Sequence, residues 1–285
     1  MNRKLRWLAL GIFAVVVVFF GGGLWFATNQ LLFPSWRGST NDLSVCKPEM
    51  AKYWGEACGN LRSTHEFAFS EVSVPSVDGF EMPGWLIGSA ENGKGPARGA
   101  IMLIAAGGSD RREETRYVQF FLGRNLDVLT LDLGCQGEAP CPVPGLTYGQ
   151  RESRDVLSAY LYLANRYEKI YAMGSSVGAA SILNALPEMP KLTAANLIDM
   201  AMLRGRFDGL TSPEHSLRLA KTTPVYFIHS KMDEVVSYRQ TQILADLYAG
   251  PKMIWFPDKG NHATIWDVDH ADYEKRLAAF LDSVQ

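Results

Sequence analysis

The sequence predicts an α/β protein: a mostly parallel central sheet with helices on both faces, preceded by one membrane-spanning helix. Three observations carry this. From Ala100 onward, short continuous apolar runs alternate with segments of helical spacing. One of those runs leads straight into a Gly-x-Ser-x-Gly turn and then a helix. Residues 7–36 contain no charge.

Composition narrows the function classes. The 285 residues are 47% hydrophobic and 20% charged, too apolar for a disordered chain. A net charge of −2 supplies no basic field, so nucleic-acid binding has no electrostatic support. No repeat of a solenoid or propeller period is visible. The charge is unevenly placed. The first 41 residues carry Arg3, Lys4, Arg6 and Arg37 and no acid, which leaves 24 basic and 30 acidic residues in the rest.

In chain order, the first element is Trp7–Ala27, a 21-residue apolar stretch. As a helix it would be ~31 Å long, the thickness of the hydrocarbon layer. Arg3, Lys4 and Arg6 form a positive flank that stays cytoplasmic, which argues against a buried core helix. The alternative is a cleaved signal peptide with Leu8–Phe20 as its apolar region; Trp25, three positions before a cut near Ala27, disfavours it. Anchor and signal agree that the remainder is exported, and a bacterial chain would place it in the periplasm. Residues 1–33 are read as the anchor or signal, 34–66 as an irregular juxtamembrane connector, and 67–285 as the α/β domain.

The four cysteines suit export. Cys46, Cys58, Cys135 and Cys141 show no metal-site spacing and no clustered histidine, so no metal is expected. Three pairings are possible. The local ones, Cys46–Cys58 and Cys135–Cys141, are the simplest, and four unpaired thiols are the alternative.

The period-2 stretch 67–75 and the segment 80–88, joined by a Val77-Asp78-Gly79 turn, predict a hairpin. Strands are expected at 101–106, 127–133, 169–174, 192–201, 224–230 and 252–256. Helices are expected at 111–124, 152–167, 177–186, 238–249 and 269–283. In such sheets the site lies at the carboxyl ends of the strands.

Three strand ends carry candidate chemistry. Gly174-Ser175-Ser176-Val177-Gly178 forms a strand–turn–helix elbow that would project the Ser176 hydroxyl from a strained backbone. Asp233 follows strand 224–230, where a carboxylate can hold an imidazole in one tautomer. Glu234 and Asp199 are its rivals. His262 lies in a Gly/Asn loop beyond the last strand and can reach back over the sheet. His65, His215 and His270 are poorly placed, and His229 is better suited to orienting the acid loop.

The order Ser176, Asp233, His262 is that of the α/β-hydrolase triad. Over residues 67–285 the chain resembles the α/β-hydrolase superfamily, and within it the single-pass, membrane-anchored hydrolases related to serine aminopeptidases. The landmarks are LLFPS (31–35), VDGFEMPGWLI (77–87), DLGCQGE (132–138), the elbow, MDEVV and GNH. Two positions depart from the family pattern. Ala105-Ala106-Gly107-Gly108 replaces its His-Gly, and Gly134-Cys135 replaces an Arg-Gly.

The resemblance implies the α/β-hydrolase fold and a serine hydrolase acting on an ester, thioester or amide, with no cofactor. Ser176 would attack an acyl carbonyl, His262 would move the proton, and Asp233 would stabilise the imidazolium. The backbone N–H groups of Val177 and of Gly107 or Gly108 would hold the oxyanion. Only about 35 residues lie between the elbow helix and strand 224–230, too few for a large lid. Met200, Met202 and Leu203 with Arg204 and Arg206 are read as a short flap. Arg111 and Arg112 could meet an anionic group but read as exposed arginines at a helix start. The partners expected are a small-molecule, lipid or peptide acyl substrate and a membrane. The rival functions are a catalytically silent scaffold at the membrane and an acyltransferase.

Overall fold

A computed structural model describes residues 3–34, 42–200 and 212–284. The chain separates into two compact units, 1–38 and 39–285. In the first, one helix runs Arg3–Leu32, and its stretch Leu10–Leu32 has a mean hydropathy of 2.3 with no residue buried. By length and composition this helix can cross a membrane.

In the second unit, eight strands form one sheet among the described residues: β1 Ser70–Pro75, β2 Glu81–Ile87, β3 Gly99–Ile104, β4 Leu126–Leu131, β5 Ile170–Ser175, β6 Leu192–Ile198, β7 Val225–Ile228 and β8 Lys252–Trp255. Their spatial order is β1-β2-β4-β3-β5-β6-β7-β8. The hairpin β1–β2 is antiparallel, as is β2 against β4, and every later pairing is parallel. Central strands read as unbroken apolar runs because each face meets a helical layer. Alternation within β3 shows this directly. Met102 and Ile104 pack with Val156, Leu163 and Ile182, whereas Ile101 and Leu103 pack with Val118, Phe121 and Phe280.

The structure departs from the sequence reading in four places. Segment 34–66, read as irregular, holds the helices Pro48–Trp54 and Leu61–Thr64, with Leu43, Cys58 and Leu61 buried. The helix expected over 111–124 is a 3₁₀ turn, Glu113–Tyr117, followed by a short helix, Val118–Leu122. Arg111 and Arg112 are not exposed: both are buried in ion pairs, Arg111 with Asp132 and Arg112 with Asp110. Met200, assigned to a flap, is 1% exposed and packs in the core; Met202, Leu203, Arg204 and Arg206 lie outside the described residues. The cysteines pair locally, Cys46 with Cys58 and Cys135 with Cys141.

Candidate active site

Ser176 follows β5 and is the residue before the helix Val177–Ala185, with φ 53° and ψ −114°. A non-glycine residue at such a φ is strained, and the strain turns its side chain out of the strand. Glycine on either side is a packing requirement. A Cβ on Gly174 would lie 2.8 Å from the Gly178 carbonyl carbon, and one on Gly178 would lie 2.3 Å from the Ile104 oxygen. The Ser176 N–H donates to the Ile198 carbonyl at 2.8 Å, which ties the turn to β6.

His262 and Asp233 reach this serine from the loops after β8 and β7. His262 Nε2 lies 2.9 Å from Ser176 Oγ, and His262 Nδ1 lies 2.7 Å from Asp233 Oδ2. Asp233 Oδ1 accepts the Val235 and Val236 N–H groups, each at 2.8 Å. The hydroxyl, imidazole and carboxylate thus form one hydrogen-bonded chain. Such a chain can move the serine proton to the imidazole while the carboxylate offsets the charge that develops.

Burial works against both charged forms and is overcome in both. It pushes Asp233 up, but hydrogen bonds from His229 and His262 bring its carboxyl below the ordinary carboxylate range. Burial pulls the His262 imidazolium down, but the bond to Asp233 and the charges of Asp233, Asp199 and Glu113 raise it above the ordinary histidine value.

A second tier of residues sets these positions. His229 is fully buried, with Nε2 3.0 Å from Asp233 Oδ2 and Nδ1 2.7 Å from Thr241 Oγ1. These contacts are met together when Nε2 carries the proton and Nδ1 accepts the Thr241 hydroxyl. Asp199, the rival acid, has a different place. It is fully buried and accepts the Ser230 N–H at 2.9 Å and the Ala263 N–H at 2.7 Å, so it holds the bases of both loops. Glu234, the other rival, points to the surface and bonds Asn261. Asn261 Oδ1 also accepts the His262 N–H at 2.7 Å. The sequence does not reveal the loop-tying roles of Asn261, Asp199 and Ser230, because each ties its loop to a group 27 to 64 positions away.

The candidate oxyanion groups converge on Val177. A Cβ on Gly107 would lie 2.7 Å from Val177 Cγ2, so the loop after β3 runs against the residue that follows Ser176. The neighbouring Ala106 N–H is committed to Glu113 Oε2 at 2.9 Å. Among the described residues none accepts a hydrogen bond from the N–H of Gly107, Gly108 or Val177. Leu146 and Val177, with Tyr148 and Val236, form a small apolar cluster on this side. Beside His262 lies a cleft of about 320 Å³. A second, of about 370 Å³, is lined by Phe80, Cys135 and Val143 and touches neither Ser176 nor His262.

Arg111 holds Asp132 at 2.7 Å as well as Glu138, and Arg112 holds Asp110 at 2.8 Å. Both guanidinium groups are therefore committed inside the protein, which removes them as surface anion contacts.

No family model matches the chain. An uncharacterized Bacillus subtilis protein, YqkD, is 34% identical over 61 residues, which are 21% of this chain and 20% of that protein. Solved structures match more widely. An esterase of Pyrococcus furiosus covers 77% of this chain and 91% of its own, with TM-score 0.66 and 17% identity. A hydrolase from Pseudomonas aeruginosa covers 74% and 98%, with TM-score 0.59 and 14% identity. Thermogutta terrifontis esterase 2, phosphoramylated by tabun, covers 76% and 94%, with TM-score 0.61 and 15% identity. With its sheet order, its elbow after β5 and these neighbours, the chain is built on the α/β-hydrolase fold.

Proposed function

We propose that this protein is a serine hydrolase that cleaves an ester, thioester or amide through an acyl-enzyme. Ser176 is the nucleophile and His262 the general base. Asp233 stabilises the imidazolium, and the N–H groups of Val177 and of Gly107 or Gly108 stabilise the oxyanion. The observation that carries the reading is the 2.9 Å contact between His262 Nε2 and the hydroxyl of a strained elbow serine. His262 takes the Ser176 proton as the Oγ–acyl bond forms and returns it to the departing group. It then deprotonates the water that releases the acid. An apolar acyl group fits the side of Leu146, Val177 and Val236. That neighbours of the same fold include esterases, one of them phosphoramylated, supports an organophosphate-reactive serine.

The domain acts outside the cytoplasm, held by the N-terminal helix. Its two disulfides and the positive residues before the apolar stretch support this placement. A fluorophosphonate probe tests the activity. Labelling of the wild type and not of Ser176→Ala is expected. Absence of label on both would replace the enzyme with a silent scaffold.

A further inference from the structure

Segment 42–60 forms a wall of the cleft beside His262. Tyr53 and Trp54, both half-buried, line that cleft together with Val235 and Asn261. They are the last residues of the helix Pro48–Trp54, and the structure around it is fixed. The Cys46–Cys58 disulfide closes the segment. Buried Arg112 donates to the Leu43 carbonyl at 2.7 Å and the Val45 carbonyl at 2.8 Å, and its guanidinium lies 6.0 Å from the Trp54 ring centre. Asn60 Nδ2 donates to the same Leu43 carbonyl at 2.8 Å. The aromatic pair is thus presented by a braced scaffold.

The position has a chemical meaning that rests on the serine-hydrolase reading. The proton taken by His262 Nε2 returns to the departing atom, so the leaving group must come within reach of the imidazole. The cleft lined by Tyr53 and Trp54 borders that imidazole. The acyl part then faces the Leu146–Val177 cluster. Charge narrows the leaving group further. Arg116, also in the cleft, lies 3.3 Å from Asp267 and 3.8 Å from Glu113, so acids offset its charge. With that charge offset, the cleft offers an uncharged aromatic ring the side chains of Tyr53 and Trp54 and apolar Val235.

We propose that Tyr53 and Trp54 are specificity-determining residues that form a leaving-group subsite for uncharged aryl groups. Two phosphonate probes that leave the same adduct on Ser176 test it, one carrying an uncharged 4-nitrophenoxy group and one a fluorine as the group that departs. In each, the Ser176 Oγ–P bond forms, the bond from P to the leaving group breaks, and the serine proton passes to His262. On the full chain, Trp54→Ala should slow the aryloxide probe about tenfold more than the fluoride probe, the loss of one aromatic contact with its buried area. Trp54→Phe should keep most of the difference, and Tyr53→Ala should lose part of it. Equal slowing of both probes, or no slowing, with Ser176 still labelled by the fluorophosphonate, overturns the subsite alone. Failure of the fluoride probe to label wild-type Ser176 overturns the serine-hydrolase reading and the subsite with it.

Discussion

The two flanks of Ser176 are held by different physics. On the flank of β6–β8, hydrogen bonds to backbone predominate. Asp199 takes the Ser230 and Ala263 N–H groups, the Ser230 hydroxyl lies 2.8 Å from the Gly260 carbonyl, and His229 backs Asp233. On the flank of β3–β4, buried charges predominate: Arg111 with Asp132, Arg112 with Asp110, and Arg116 between Glu113 and Asp267. Glu114 sits among them fully buried, its carboxyl driven well above the ordinary range by burial and then by the charge of Glu113. The first arrangement sets the direction of single atoms, because most of its bonds end on a fixed backbone group. The second docks whole segments: Arg111 holds 132–138 through its ion pairs with Asp132 and Glu138, and Arg112, paired with Asp110, holds 42–60 through the carbonyls of Leu43 and Val45. The difference separates what aims the imidazole from what holds the wall around it.

Four substitutions test whether the two flanks differ in this way. The largest effect is expected on the first flank. Asp233→Asn should lower kcat about 10⁴-fold by disturbing the imidazole tautomer. It should also shift the pH profile. The wild-type His262 pKa is raised, so the neutral base accumulates, and kcat/KM climbs, only above the ordinary value of 6.5. The acid limb should move down in the variant, and a pH–rate profile reads this.

Next is a change confined to stability. Arg111→Met strands the buried Asp132 carboxylate and should cost about 3–5 kcal/mol in urea unfolding. Replacing Asp132 as well should recover part of that. A third test returns to the first flank. Asp199→Asn leaves one of two backbone amides without an acceptor, at about 1–3 kcal/mol. Because it releases the loop bases, kcat should fall more than KM rises. If kcat stays at the wild-type value while stability falls, the aiming role assigned to this flank is wrong.

The smallest change is expected from Glu114→Gln at acid pH, where burial and the charge of Glu113 favour the protonated carboxyl. At pH 5 the unfolding midpoint should stay close to that of the wild type. The folded pKa lies above the unfolded value of 4.5, so the folded state binds more protons than the unfolded one as pH rises past 4.5. Wild-type stability should therefore drop relative to the Gln variant toward alkaline pH.

Much of the fold is legible in the sequence because it depends on local periodicity. Unbroken apolar runs such as IMLI and VYFI announce strands buried on both faces, and Gly174 and Gly178 mark the elbow because no Cβ fits there. Ser176, Asp233 and His262 can be picked out because each follows such a run. Other features are not legible. Arg111 and Arg112 look like surface residues until Asp132, Asp110 and the carbonyls of residues 43 and 45 enclose them. Met200 follows a strand and resembles a flap residue, yet the core takes it. Pro48–Trp54 is seven residues long, too short for a periodic signal.

The local pattern thus accounts for the order of the strands, the longer helices of the sheet domain, the elbow, and an N-terminal stretch long and apolar enough to cross a membrane. Each follows from the spacing of apolar, small and charged residues over a few neighbouring positions. Tertiary structure alone decided which carboxylate meets His262, which one ties the loops, where the arginines go, and that a disulfide-closed segment borders the imidazole. Those outcomes depend on contacts between residues tens of positions apart, where burial and a fixed partner, not residue type, set what a side chain does.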